Sequence, residues 1–194
     1  MGKEKHLKKI EALLRKSPLV SYSSIQRIVN NKRNSGYTKQ LVRNLIIKGK
    51  TKRLTNGFYT IHEDPSLIVL SFNESYLGLQ DSLSYHNLWD QETIPIIVTS
   101  KKIRQGIRKV LGANVLIRRI DKKYFFGFNL KKDGDFYFPY SDIEKTFIDM
   151  VYFKENIPNE AMKEIKNKID KNKLEVYLKR YPLRFRHKVK RFLR

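Results

Sequence analysis

The chain contains no cysteine, which removes any disulfide framework and any thiolate metal site and gives no sign of an oxidising compartment. Long apolar runs are missing too, since none approaches the roughly 18 residues a spanning helix needs. The opening Met-Gly-Lys-Glu-Lys-His is too polar to start a signal peptide. A cytoplasmic protein with no membrane partner is therefore expected. The residues of common catalytic sites are also sparse. His6, His62, His86 and His187 are scattered, and neither a His-x-x-x-His pair nor a Gly-rich phosphate loop accompanies them. Asp133 and Asp135 stand two apart, but turn chemistry explains Asp-Gly-Asp without a ligand. Glu144 and Asp149 stand five apart, on different faces of a helix, and the neighbouring Lys145 suits an ion pair or a cap. These absences point to a non-enzymatic protein with no metal and no cofactor. No internal repeat or low-complexity tract occurs.

Acidic side chains are scarce, and unevenly so. The chain carries 41 Lys and Arg against 19 Asp and Glu, a net charge of +22, which points to a polyanionic partner. Residues 1–62 hold 15 basic and 2 acidic side chains (+13), residues 63–170 hold 16 of each, and residues 171–194 hold 10 and 1 (+9). The charge lies at the two ends of a neutral middle. With 40% apolar and 31% charged residues among 194, the chain is long enough for one large or two small globular domains.

The stretch 35–61 predicts one helix followed by one hairpin. Leu41, Val42, Leu45 and Ile46 recur at helical spacing as an apolar stripe over 36–48, and Lys39, Gln40, Arg43, Asn44 and Lys48 fall away from it. Gly49 is a natural stop, with Lys48 beside the negative end of the helix dipole. Beyond it, 50–55 and 58–61 are short strands, and Asn56-Gly57 between them is a strong hairpin signal. Lys50, Lys52 and Arg53 place positive charge on this ribbon, within reach of phosphates. Upstream, Leu7, Ile10, Leu13 and Leu14 make an amphipathic helix over 5–16 that ends before Ser17-Pro18. Ser21 caps a second helix carrying Ile25, Ile28 and Val29, and the polar segment 30–35 leads into the third. Three helices and a hairpin make a winged helix-turn-helix over 1–62.

Asp64-Pro65 marks the boundary with a second domain, 63–194, where a buried pattern resumes at Leu67, Ile68, Val69 and Leu70. Residues 75–88 read as a helix, 94–99 as a strand, and Ile103, Ile107, Val110 and Leu111 keep helical spacing. Segments 115–120 and 124–130 are strand-like, and Asp133-Gly134 turns the chain into 136–139. The eight aromatics between Tyr124 and Tyr140 fit either a core or a base-stacking platform. Residues 141–153 form a further amphipathic helix, and helices resume after Pro158. The last one sets Phe185, Val189, Phe192 and Leu193 on one side. Arg184, Arg186, Lys188, Lys190 and Arg191 are left as a second phosphate contact, a membrane-surface face or a solvated face of a docked helix.

The run Tyr140-Ser-Asp-Ile-Glu-Lys-Thr-Phe-Ile-Asp149 resembles the AbiEi-type antitoxins, transcriptional regulators of viral defence systems that carry a Pro/Ser-x-x-Glu-Lys/Arg-x-Leu-x-Asp run. Gly57-Phe-Tyr59 is similar to that family's Gly-Val-Tyr wing end. Tyr76-Leu-Gly-Leu-Gln-Asp-Ser-Leu-Ser-Tyr-His-Asn-Leu88 is similar to its Ser-Ala-Leu-x-x-His-Gly-Leu helix, with Asp81-Ser82 and Asn87 as departures. Ile94-Pro-Ile-Ile-Val-Thr99 resembles the strand that follows. The resemblance covers most of 1–153. It implies a repressor of its own promoter that counters a separately encoded nucleotidyltransferase toxin.

The expectation is thus an α+β protein, an N-terminal winged helix-turn-helix followed by a mixed α+β domain. It binds double-stranded DNA through Tyr37, Thr38, Lys39, Gln40, Arg43, Asn44, Lys48, Lys50, Lys52, Arg53 and Asn56. A structured-RNA-binding protein and a nuclease are the rival readings.

Overall fold

A computed structural model describes residues 2–29 and 35–193, so most of the expected polar segment 30–35 lies outside the described residues. The fold is α+β. The chain divides into two compact units, one comprising 1–71 and 109–113, the other 72–108 and 114–194.

In the first unit, helix α1 (Gly2–Lys16) is followed by the two-residue strand β1 (Val20–Ser21), then α2 (Tyr22–Val29) and α3 (Ser35–Ile47). Strands β2 (Lys52–Thr55) and β3 (Phe58–Thr60) complete a three-stranded antiparallel sheet in the order β1-β3-β2. Ser21 caps α2 as the sequence indicates, its Oγ accepting from the Ser24 amide at 3.1 Å. Its place in a strand was not expected, since two residues carry no readable alternation. Ile10 and Leu14 of α1, Ile25 and Val29 of α2 and Leu41, Val42 and Leu45 of α3 share one core with Val20 and Tyr59. Ile46, expected in the apolar stripe, is exposed instead, because α3 turns its inner face through 38, 41, 42 and 45.

Helix α3 ends in a Schellman arrangement. The Lys50 amide donates to the Leu45 carbonyl at 2.9 Å and the Gly49 amide to the Ile46 carbonyl at 3.0 Å, with Gly49 at φ 67°, a conformation that costs glycine little. The chain therefore leaves α3 at a fixed angle into β2. The sequence places a domain boundary at 62/63. The division after Ser71 instead keeps the 3-10 segment Pro65–Ser71 with the first unit. Leu67, Ile68 and Val69 of that segment are buried, and it packs on β2.

After residue 71 the chain forms β4 (Ser75–Leu77), α4 (Gln80–Tyr85), β5 (Ile96–Thr99), β6 (Gly106–Val110), β7 (Ala113–Arg119), β8 (Phe128–Asp133) and β9 (Phe136–Ser141), of which only the end of β6 and the first residue of β7 fall in the first unit. Helices α5 (Ile143–Phe153), α6 (Asn159–Lys168), α7 (Lys171–Leu178) and α8 (Leu183–Leu193) follow. The sheet order is β6-β7-β5-β4-β9-β8. β4 is antiparallel to β5 and parallel to β9, and β5 is parallel to β7. Helix α5 contacts α4, α6, α7 and α8. Its Phe147, Ile148, Met150 and Val151 share a core with Tyr76, Ile96 and Val98 of the sheet.

Three expectations are corrected here. The helix read over 75–88 begins as a strand, because β4 lies inside the sheet with Ser75, Tyr76 and Leu77 all buried. A strand buried on both faces shows no polar alternation. The helical spacing of Ile103, Ile107 and Val110 is coincidental, since β6 is the sheet edge, with alternating exposure and an outward Ile107. The segment 124–130 starts as a 3-10 turn, Lys122–Tyr124, and only Phe128 onward is strand. The β8–β9 hairpin, α5 and the helices after Pro158 stand where the sequence puts them. No helix among the described residues is long and apolar enough to cross a membrane.

Candidate nucleic-acid interface

The outer face of α3 carries Lys39, Gln40, Arg43, Asn44, Ile47 and Lys48, all exposed. The Gln40 amide nitrogen donates to the Asn44 side-chain oxygen at 3.0 Å. This bond leaves the Gln40 oxygen as an acceptor and the Asn44 amide as a donor, side by side, the complement of an adenine edge. Arg43 stands three residues from Gln40, and its fork of donors suits guanine N7 and O6 or a phosphate. No acidic residue lies between 35 and 61, so the whole helix-ribbon surface is cationic or neutral.

Two sequence-predicted residues of this helix do not reach the outer face. Thr38 is 0% exposed, its hydroxyl buried without a hydrogen-bond partner, because position 38 lies on the inward side with Leu41, Val42 and Leu45. Tyr37 is half-buried and packs against the same core.

On the ribbon, the Lys50 ammonium lies 2.6 Å from Glu11 of α1, and Lys52 pairs with Glu63. The hydrogen bond from Lys52, and then its charge, lower the Glu63 carboxyl pKa from its ordinary value. Exposed ion pairs of this kind contribute little to stability, so either lysine can exchange its carboxylate for a phosphate at small cost. Arg53 donates to the Asn56 side-chain oxygen at 2.8 Å, which ties the arginine to the hairpin turn.

The cations of α8 fall into two groups. Arg186 donates to the carbonyls of Tyr181 (2.7 Å) and Lys179 (2.8 Å), closing the open end of α7, and Lys190 lies 2.6 Å from Glu175. Arg186 is thus engaged with backbone carbonyls, and Lys190 sits in an exposed ion pair of the same kind as those of Lys50 and Lys52. Arg184, Lys188 and Arg191 are exposed and share one stripe with His187 at helical spacing. The opposite side of α8 docks, with Val189 fully buried and Phe185 and Leu193 packed on the core.

Sequence reasoning missed a further group of cations. Lys101, Lys102, Arg104, Arg108 and Lys109 lie on or just before edge strand β6, hidden by averaging into a neutral middle. Charges there discourage another strand from pairing with the edge.

The run 140–149 folds into a buried polar network. Asp142 caps α5 by accepting from the Lys145 amide at 2.8 Å. The Lys145 ammonium pairs with Asp149, with both side chains wholly buried, and the Tyr76 hydroxyl donates to the other Asp149 oxygen at 2.6 Å. Burial pushes the Lys145 pKa down and the Asp149 pKa up, and their mutual attraction opposes both shifts. Glu144 instead accepts from the Asp170 amide at 2.9 Å and pairs with Lys173, also at 2.9 Å. The two carboxylates have separate partners, and Lys145 takes the ion-pair role that its sequence position suggests.

The aromatics between Tyr124 and Tyr140 mostly pack inward. Tyr124 stacks on Tyr181 at 4.2 Å and Tyr140 on Tyr85 at 4.0 Å. Asp133, half of the acidic turn pair, accepts from the Tyr140 hydroxyl at 2.7 Å. No group of acidic and histidine side chains among the described residues could hold a metal ion.

No protein-family model matches the chain, and no curated protein is significantly similar to it in sequence. Among solved structures it is similar to the crystal structure of the RV2827C protein from Mycobacterium tuberculosis, with a TM-score of 0.64 at 13% identity. The match covers 97% of this chain and 76% of that one. A likeness at that identity concerns the fold alone.

Proposed function

We propose that the first unit is a winged helix-turn-helix that binds double-stranded DNA, with α3 in the major groove and β2–β3 as the wing against the backbone. The observation that carries this reading is the acid-free outer face of α3, where Lys39, Gln40, Arg43, Asn44 and Lys48 stand together beside a ribbon bearing Lys50, Lys52 and Arg53. A helix of 13 residues is about 20 Å long and fits the B-DNA major groove, about 12 Å wide. The deep, narrow major groove of A-form RNA would not admit it, which favours DNA over structured RNA. Arg184, Lys188 and Arg191 of α8 supply a second set of cations for phosphate.

The regulatory part of the proposal is a repressor of antitoxin type, acting against a nucleotidyltransferase toxin. It rests on the order of the sequence motifs around Gly57, Tyr76, Ile94 and Tyr140. A nuclease has no such support.

Selection of a duplex from a random pool, followed by titration at 50 and 200 mM salt, tests the DNA reading. Contacts to about five phosphates would weaken binding roughly 500-fold across that interval. Equal affinity for scrambled duplexes or for folded RNA would overturn the assignment, and metal-dependent cleavage of the duplex would replace it with the nuclease. Co-expression with the nucleotidyltransferase of a neighbouring reading frame tests the antitoxin part, which fails if toxicity is undiminished.

A further inference from the structure

Ile47 is the most exposed large apolar side chain among the described residues, at 71%. It lies on the outer face of α3, four residues after Arg43 and seven after Gln40, so the three share one stripe along the helix. Its surroundings are cationic: Lys48 adjoins it, Arg43 lies one turn before it, and no carboxylate stands anywhere on the helix or ribbon. The Schellman arrangement at Gly49 turns the chain away immediately afterwards, so nothing in the helix itself covers this position.

An apolar partner protein would have to bury the flanking cations without compensation, and a second copy of α3 would bring like charges together. The surface that suits an isolated apolar group among cations carries anionic rails with an apolar point between them. The DNA major groove is such a surface, and the thymine C5-methyl is its apolar point.

We propose that Ile47 is a specificity residue that reads a thymine through its C5-methyl group. The inference rests on the DNA-binding reading above. The rise from Gln40 to Ile47 is about 10 Å, or roughly three base steps, so the thymine lies about three steps from the base contacted by Gln40 and Asn44. Removing one buried methyl contact weakens binding roughly fourfold.

The test uses the full chain and the duplex chosen by selection, with each thymine replaced in turn by deoxyuridine, which lacks only the methyl. Wild-type protein should lose about fourfold in affinity at one thymine per bound unit. Ile47→Ala should bind thymine and deoxyuridine duplexes equally at that position while keeping the wild-type melting temperature, since the side chain lies outside the core. A selected site without such a thymine, or discrimination that survives in Ile47→Ala, overturns the inference and leaves the DNA reading standing. Absence of any sequence preference in the wild type removes the DNA reading itself.

Discussion

Arg43 and Lys145 are both cations on helices, and their surroundings give them opposite consequences. Arg43 is exposed on an acid-free face, so Arg43→Ala should leave stability intact and cost about 1–3 kcal/mol on the preferred duplex, with a smaller loss on a scrambled one. Titration against both duplexes measures the difference, and equal losses would make Arg43 a phosphate contact only. Lys145 is wholly buried against Asp149, so Lys145→Met leaves a buried carboxylate without its cation. That change should cost about 3–5 kcal/mol in urea unfolding, and pairing it with Asp149→Leu should recover much of the loss. A third residue provides a pH dependence. His86 bonds the Ser141 carbonyl at 2.7 Å, and its pKa is lowered chiefly by burial. Below about pH 6.5 the unfolded chain takes up a proton that folded His86 resists, so this stabilisation is present above that pH and is lost on acidification. Urea unfolding at pH 7.5 and 5 should show a smaller difference for His86→Gln than for the wild type.

At the scale of elements, α3 and α8 solve one problem, how a helix with a cationic outer face can also belong to a core. Each divides its circumference, with Leu41, Val42 and Leu45 inward on α3 and Val189 inward on α8. Removing α8 outright would therefore expose the core and confuse folding with binding. Substitution of Arg184, Lys188 and Arg191 by Ala is cleaner and should lower the slope of log affinity against log salt by up to about 2.7, with an unchanged melting temperature. Val189→Ala should do the reverse, costing about 2 kcal/mol of stability and leaving the slope alone. If the triple variant leaves the slope unchanged, α8 touches no phosphate and its charge is a solvated face.

For the whole molecule, the division after Ser71 has a direct consequence for dissection. A fragment of residues 1–62 lacks Leu67, Ile68 and Val69, which are buried in the intact chain, whereas a fragment of residues 1–71 keeps them. Thermal melts followed by circular dichroism should find 1–71 the more stable, and it should retain specific though weaker duplex binding. Equal melting of the two fragments would mean that the 3-10 segment adds nothing to the first unit.

What the sequence determined by itself is local in origin. Leu41, Val42 and Leu45 on the inner face of α3, its stop at Gly49, the Asn56-Gly57 turn, the cap at Ser21, and Phe185, Val189 and Leu193 on one side of α8 all follow from spacings of a few residues, over which backbone geometry is nearly invariant, whereas Ile46 and Phe192, expected with them, are exposed. The same holds for Lys145 and Asp149, one helical turn apart. Only the tertiary structure decided the rest, because each decision depended on a partner distant along the chain. Residues 75–77 became a strand because β5 and β9 flank them on both sides. The Tyr76 hydroxyl found Asp149 73 positions away, and Lys50 found Glu11 39 positions away. Ile47 stays exposed because the core of the first unit forms against Leu41, Val42 and Leu45 on the other face of α3, a choice that a count of apolar residues cannot register.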